Sequence, residues 1–228
     1  MNIKKILIVL ILILLNIKNV YAENISTNLK VGDVINFGKY NIDSPDEKSD
    51  IEWVVLDVKE DRALIFSKYI LTTMVYSIIG NNYYIHSSIR KYLNEEFIES
   101  FNGVEKQIIL ETINENNKTS NESSTYNTKD LIFILSSYEI EEYFGSKSSI
   151  KSEIYGIGSA LAKSNGLLEI PCDDLGVKTS PYWLRDDGFE ENYAKAVSYN
   201  GKILEDGYFY HRYNVGVRPA LWIKIDKN

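Results

Sequence analysis

Ile51-Glu52-Trp53-Val54-Val55-Leu56-Asp57-Val58 and Ala63-Leu64-Ile65-Phe66 flank the polar stretch Lys59–Arg62. Both segments are dense in β-branched and large apolar residues, and the polar break between them reads as the turn of a β-hairpin. Upstream, Val31-Gly32-Asp33-Val34-Ile35-Asn36-Phe37-Gly38 alternates apolar and polar positions up to a glycine, the period-2 pattern of a half-buried strand. The Asp43–Asp50 stretch with Pro45 is the loop between them, so the domain opens as a β-meander.

Helical periodicity follows. Ser87 or Ser88 can cap a helix on which Ile89, Tyr92, Leu93 and Phe97 share one face, with Arg90, Lys91, Glu95 and Glu96 on the other. A second short helix is expected over 104–109 after Asn102-Gly103, and residues 112–129, almost wholly polar, are expected to be a surface loop. Asn117-Lys118-Thr119 and Asn121-Glu122-Ser123 within it fit the glycan-acceptor pattern. Leu131–Leu135 reads as a buried strand, Ser136 or Ser137 as the cap of a helix ending at Gly145, and Tyr155–Lys163 as a further helix. Strands close the chain: Tyr182–Leu184, Ala194–Tyr199, a turn at Asn200-Gly201, Lys202–Leu204, and Val215–Ile225. Strands at both ends around central helices argue for a single α+β domain with a C-terminal hairpin.

Residues 1–22 have the layout of a secretory signal peptide. Lys4 and Lys5 precede an apolar run, Ile6–Leu15, too short to span about 30 Å of hydrocarbon, and Val20 and Ala22 suit cleavage before Glu23. The expected organisation is a signal peptide (1–22), a short polar lead-in (23–30) and one domain (31–228). Its location is then outside the cell or at its surface, with no stable membrane insertion once the leader is removed. Losing Lys4, Lys5 and Lys18 takes the formal charge from −7 to −10. That balance argues against nucleic acid as a partner, because phosphate recognition needs a basic stripe. Cys172 is the single cysteine, so no intramolecular disulfide or thiolate metal cluster can form and packing must hold the fold.

The C-terminal third carries Tyr182-Trp183-Leu184-Arg185-Asp186-Asp187-Gly188, Ala194-Lys195-Ala196-Val197, Asn200-Gly201, and Gly216-Val217-Arg218-Pro219-Ala220-Leu221. Upstream stand the Ser87–Phe97 helix and the Thr128–Ser136 strand, with Phe37-Gly38 and Ile51–Leu56 before them. This order resembles a bacterial domain-of-unknown-function family with a W-W-L-R-S-P-G … G-V-R-P-A-L signature, found in exported and surface proteins, over most of residues 31–225. More remotely the layout is similar to C-type-lectin-like and sulfatase-modifying-factor domains, which implies a lectin-like fold. Asp186-Asp187 stand where the family pattern has Ser-Pro, and Tyr92 and Tyr182 where it has tryptophan. Sulfatase-modifying chemistry uses a pair of cysteines, and this chain has one.

Arginine is scarce, five against 20 lysines, and three of the five (Arg90, Arg185, Arg218) fall inside these motifs. Arginines beside Trp183 and Pro219 in apolar runs are expected to be buried and therefore paired. They read as structural clamps whose planar forks satisfy carbonyls or carboxylates, with anion binding as the rival reading. Cys172 precedes Asp173-Asp174, which disfavours a thiolate. His86 and His211 lie outside any zinc spacing, and no P-loop, dinucleotide or G-x-S-x-G pattern occurs. No cofactor is expected. Calcium is the one metal candidate, at the acidic cluster of Asp186, Asp187 and Glu190.

Gly207-Tyr208-Phe209-Tyr210-His211-Arg212-Tyr213 concentrates rings in a segment expected to be a loop. With Trp183, the residues Tyr208, Tyr210, His211 and Tyr213 are the candidate contacts to a ligand, since flat amphipathic rings on a rigid sheet suit sugar or peptide recognition. The expected role is an exported binding module for an extracellular or envelope glycan or protein. A secreted hydrolase using two carboxylates is the alternative, and a structural surface component the third reading.

Overall fold

The computed structural model describes residues 28–116, 127–146 and 148–225. The predicted signal peptide and the two glycan-acceptor asparagines lie outside the described residues.

The strands are β1 (Val34–Tyr40), β2 (Ser49–Lys59), β3 (Arg62–Ser67), β4 (Thr72–Thr73), β5 (Ile109–Leu110), β6 (Thr112–Asn114), β7 (Thr128–Asp130) and β8 (Phe133–Ile134). They continue with β9 (Ile170–Cys172), β10 (Val177–Thr179), β11 (Tyr182–Asp187), β12 (Tyr193–Val197), β13 (Ile203–Phe209), β14 (Gly216–Val217) and β15 (Pro219–Lys224). Among the described residues the α-helices are α1 (Ser88–Glu95), α2 (Ser137–Phe144) and α3 (Ala160–Ser164), with four short 3-10 turns elsewhere in the chain. Among the described residues strand outweighs helix, 39% against 19%, a strand-dominated arrangement that fits the α+β class loosely.

Two sheets organise the chain. The first runs β1-β2-β3-β15-β5 with β8 also on β15; the second runs β13-β12-β11-β14-β4. The opening meander forms as its pattern predicts, with Lys59 opposite Arg62 across the β2–β3 turn. Trp53, fully buried on β2, donates its indole N–H to the Phe37 carbonyl at 2.7 Å, which ties β1 onto β2 where the register shifts. The Asn200-Gly201 turn joins β12 and β13 in the hairpin foreseen there, although β13 continues through Tyr208 and Phe209.

The last strand departs from expectation. Val215–Ile225 is not one strand but two: β14 pairs with β4 and β11 in the second sheet, and β15 pairs with β3 in the first. The chain changes sheet at Arg218-Pro219. Proline has no N–H for a ladder and tends to mark strand starts, which explains the break.

Serine caps start the helices. Ser87 accepts from the Arg90 N–H at 3.1 Å to begin α1, and Ser136 with Glu139 forms a reciprocal capping box at α2. Phe97 falls beyond α1 in a 3-10 turn. The helix expected over 104–109 is a 3-10 turn, Glu105–Gln107, running into β5. The 112–129 segment is not loop throughout: its two ends form the antiparallel ribbon β6–β7. Its polar composition misled because Asn114 and Thr128 are buried and both donate to the Asp130 carboxylate, at 2.8 and 2.6 Å. Of the Tyr155–Lys163 helix only α3 forms; Gly156 and Gly158 sit instead in isolated bridges to Ser180 and Ile70. Leu131–Leu135 is buried or nearly so, yet only Phe133–Ile134 pairs as strand.

Candidate functional site

The three motif arginines lie at the seams between elements. Arg218, 1% exposed at the sheet change, sends its fork in two directions. Nε donates to the Ser67 carbonyl at 2.8 Å and Nη2 to that of Lys68 at 3.1 Å, at the end of β3. Nη1 donates to the Glu153 carbonyl at 2.7 Å and, at longer range, to those of Ile154 and Tyr155. The guanidinium lies 4.1 Å from the centre of the Phe66 ring and 5.4 Å from that of Tyr182. Its burial pulls the pKa below the usual arginine value, and its interactions with Tyr182 and Glu153 oppose that. No free face remains for an anion.

Arg185 on β11 is also buried and donates to the Ile134 carbonyl at 3.1 Å and to the Glu139 carboxylate. It thereby fastens the second sheet to β8 and to the capping box of α2. Arg90 donates to Asp130 at 2.6 Å and to the Ile85 and Lys129 carbonyls, joining α1 to the β6–β7 ribbon. Asn94, one of the positions of the Ser87–Phe97 motif, acts in the same way. Its amide nitrogen donates to the Arg90 and Ile132 carbonyls, and its oxygen accepts from the Leu131 and Ile132 N–H groups.

The acidic cluster is dispersed. Asp186 points inward and accepts from the Ser137 N–H at 2.5 Å, at the start of α2, while Glu190 is exposed on the turn after β11. Burial pushes the Asp186 carboxyl above its ordinary range, with the Ser137 hydrogen bond the first of the opposing influences. Asp186 is therefore committed to the fold, and among the described residues no three His, Cys, Asp or Glu side chains are grouped to hold a metal ion. The carboxylates around an open cleft of 390 Å³ beside α1 are likewise engaged: Glu95 with Lys91 at 3.9 Å and Glu111 with Lys129 at 3.6 Å.

The aromatic candidates divide into floor and surface. Trp183 is fully buried, donates to the Met74 carbonyl at 3.0 Å and packs edge-on against Tyr76 and Tyr208. Tyr210 is 7% exposed, stacked on Phe209 at 5.0 Å and packed against His211 at 4.5 Å. These two residues therefore support the surface and do not form it. Tyr208 is half-buried under Arg212, 4.3 Å from its ring centre, and its hydroxyl pKa is raised by that burial, against the pull of Arg212. Phe209, His211 and Tyr213 reach solvent.

Two further segments join them: the 76–83 connection, which no pattern marked, and the 188–193 turn, which carries Glu190 of the acidic cluster. The 76–83 connection after β4 is bound in by the Tyr76 N–H to the Tyr210 carbonyl at 2.7 Å. Buried Asn82 donates to the Glu190 and Tyr193 carbonyls at 3.2 and 2.8 Å, and the Tyr210 N–H reaches the Asn192 carbonyl at 3.0 Å. Three loops at one end of the second sheet are thus locked to each other. They expose Phe189 (83%), Tyr213 (70%), Ile78 (69%), Ile79 (59%) and Phe209 (46%). In the 76–83 connection the sequence signal is the consecutive Ile78-Ile79 before a glycine, an apolar pair where a turn should be polar.

Among the described residues no helix is long and apolar enough to cross a membrane. No curated protein and no solved structure matches the chain, so the lectin-like fold gains no support. A family model does match residues 60–225, starting just past β2, so the similarity seen in Phe37-Gly38 and Ile51–Leu56 lies outside the matched span. Covering most of the chain, that match places the protein in the DUF6273 family, a domain of unknown function.

Proposed function

We propose that the domain is an exported binding module and that the platform formed by residues 76–83, 188–193 and 209–213 is its ligand face. The observation that carries this reading is the exposure of five large apolar side chains on loops held rigid by main-chain hydrogen bonds. Scattered exposed apolar residues are ordinary on a protein surface, but five large ones on segments tied to one another support an interaction site. The ligand is a protein in preference to a glycan. Two isoleucines and Phe189 project outward instead of lining a cleft, which suits insertion into a partner's pockets, whereas sugar sites place flat rings beside planar polar groups.

Screening the purified protein against a peptide-display library and a glycan array, in parallel with an Ile79→Ser/Phe209→Ser variant, tests the proposal. Peptide ligands captured by the wild type and lost by the variant, at an unchanged unfolding midpoint, are the expected result. Ligands retained by the variant refute the platform, and ligands found only among glycans refute the choice of protein.

A further inference from the structure

Around the platform acidic side chains outnumber cations. Glu190 and Glu191 are exposed on the turn that carries Phe189, and Asp206 is exposed on β13 just before the Tyr208–Tyr213 segment. The Asp206 backbone packs directly on that turn, its carbonyl 2.6 Å from where a side chain on Gly188 would begin. The cations nearby are Arg212, which keeps its charge because its partners are neutral, and Lys195. Arg212 donates to Asn214 at 3.0 Å and lies over the Tyr208 ring, while Lys195, nearly buried, is paired with Glu205 at 2.5 Å. An apolar centre with an acidic rim attracts one kind of partner.

Resting on the reading of the platform as the ligand face, we infer that its occupant is a basic polypeptide segment in which lysine or arginine flanks apolar side chains. The apolar side chains cover Ile78, Ile79 and Phe209, the cations reach Glu190, Glu191 and Asp206, and a cation placed over Phe189 or Tyr213 gains a further electrostatic contribution from the ring. The same rim repels phosphate-bearing surfaces, so nucleic acid and anionic lipid do not fit. Uncharged glycans leave the acids without a role.

The test is an amide-resolved NMR titration of the full protein with two synthetic peptides, one alternating leucine and lysine, the other leucine and glutamate. The Leu/Lys peptide should shift resonances of the three loops. Its Kd should rise at least about threefold between low and physiological salt, because exposed charge pairs are screened, and about fivefold in Glu190→Gln/Glu191→Gln, which removes two long-range attractions. Equal binding of the Leu/Glu peptide on the same loops overturns the cationic assignment and leaves the platform standing. Leu/Lys shifts that fall elsewhere on the surface, or that survive in Ile79→Ser/Phe209→Ser, overturn the assignment too, and the library screen then decides the platform separately.

Discussion

Replacing Arg218 by lysine keeps the charge and most of the length while removing the fork. In the native structure the guanidinium serves two directions at once: the Ser67 and Lys68 carbonyls at the end of β3, and the Glu153–Tyr155 carbonyls of a 3-10 turn. An ammonium is a single point donor. Whichever side it chooses, at least two buried carbonyls lose their partner, at about 1–3 kcal/mol each. Contact with the Phe66 ring, 4.1 Å away, weakens as well. Together these give about 3–5 kcal/mol, a large part of the roughly 5–15 kcal/mol that holds a domain of this size. At about 2–4 °C per kcal/mol, the unfolding midpoint should fall by about 6–20 °C. Calorimetry at pH 7 reads this directly, and added sulfate should shift wild type and variant alike, since the guanidinium offers an anion no free face. A midpoint within about 2 °C of wild type, on the 2–4 °C per kcal/mol scale, would refute the reasoning.

At Gly207 the backbone has φ +77°, and a Cβ there would collide with the Ala194 carbonyl across the β12–β13 irregularity. Gly207→Ala should therefore cost about 2–4 kcal/mol in denaturant unfolding, against about 1 for Gly176→Ala, where φ is also positive but space is open. Asp186 has its carboxyl pKa raised by burial, so its contribution to stability is full below the ordinary value of 3.8 and is lost as pH rises through the raised folded value. Asp186→Asn should match or exceed the wild-type midpoint at pH 7, and the gap should close on acidification; a variant much weaker at pH 7 would show that the charge itself is required.

Local rules carried the reading of this sequence wherever the determining contact was local. Ser87 and Ser136 sit next to the helices they cap, and Asn200-Gly201 next to the strands it reverses. They failed where the deciding partner was remote. Asp130 makes a polar ribbon out of an apparent loop only because Arg90, Asn114 and Thr128 converge on it. Val215–Ile225 divides between sheets for reasons spread over residues 62 to 182, and Pro219 was the one local hint. The ring-rich segment did not show which side chains reach solvent: Tyr210 and Trp183 are buried, and Ile78, Ile79 and Phe189 are exposed. Ring content in a sequence says that apolar area exists, not which side of the backbone receives it.

The clamps bear on how the platform can work. Arg218 reads five main-chain carbonyls, and Arg185 couples its one carboxylate partner with the Ile134 carbonyl. A lock that grips backbone is indifferent to most side chains around it. All three platform loops hang from strands of the second sheet: the 76–83 connection follows β4, the 188–192 turn joins β11 to β12, and 210–213 follows β13. Arg185, on β11, fixes that sheet to the first one. Because the loops are tied to one another through the Tyr210 and Tyr193 carbonyls and Asn82, their exposed side chains can change without loosening the frame. If the platform is the ligand face proposed above, that division of labour lets partner choice be rewritten at Ile78, Ile79, Phe189 and Tyr213 while the sheet-to-sheet lock stays intact.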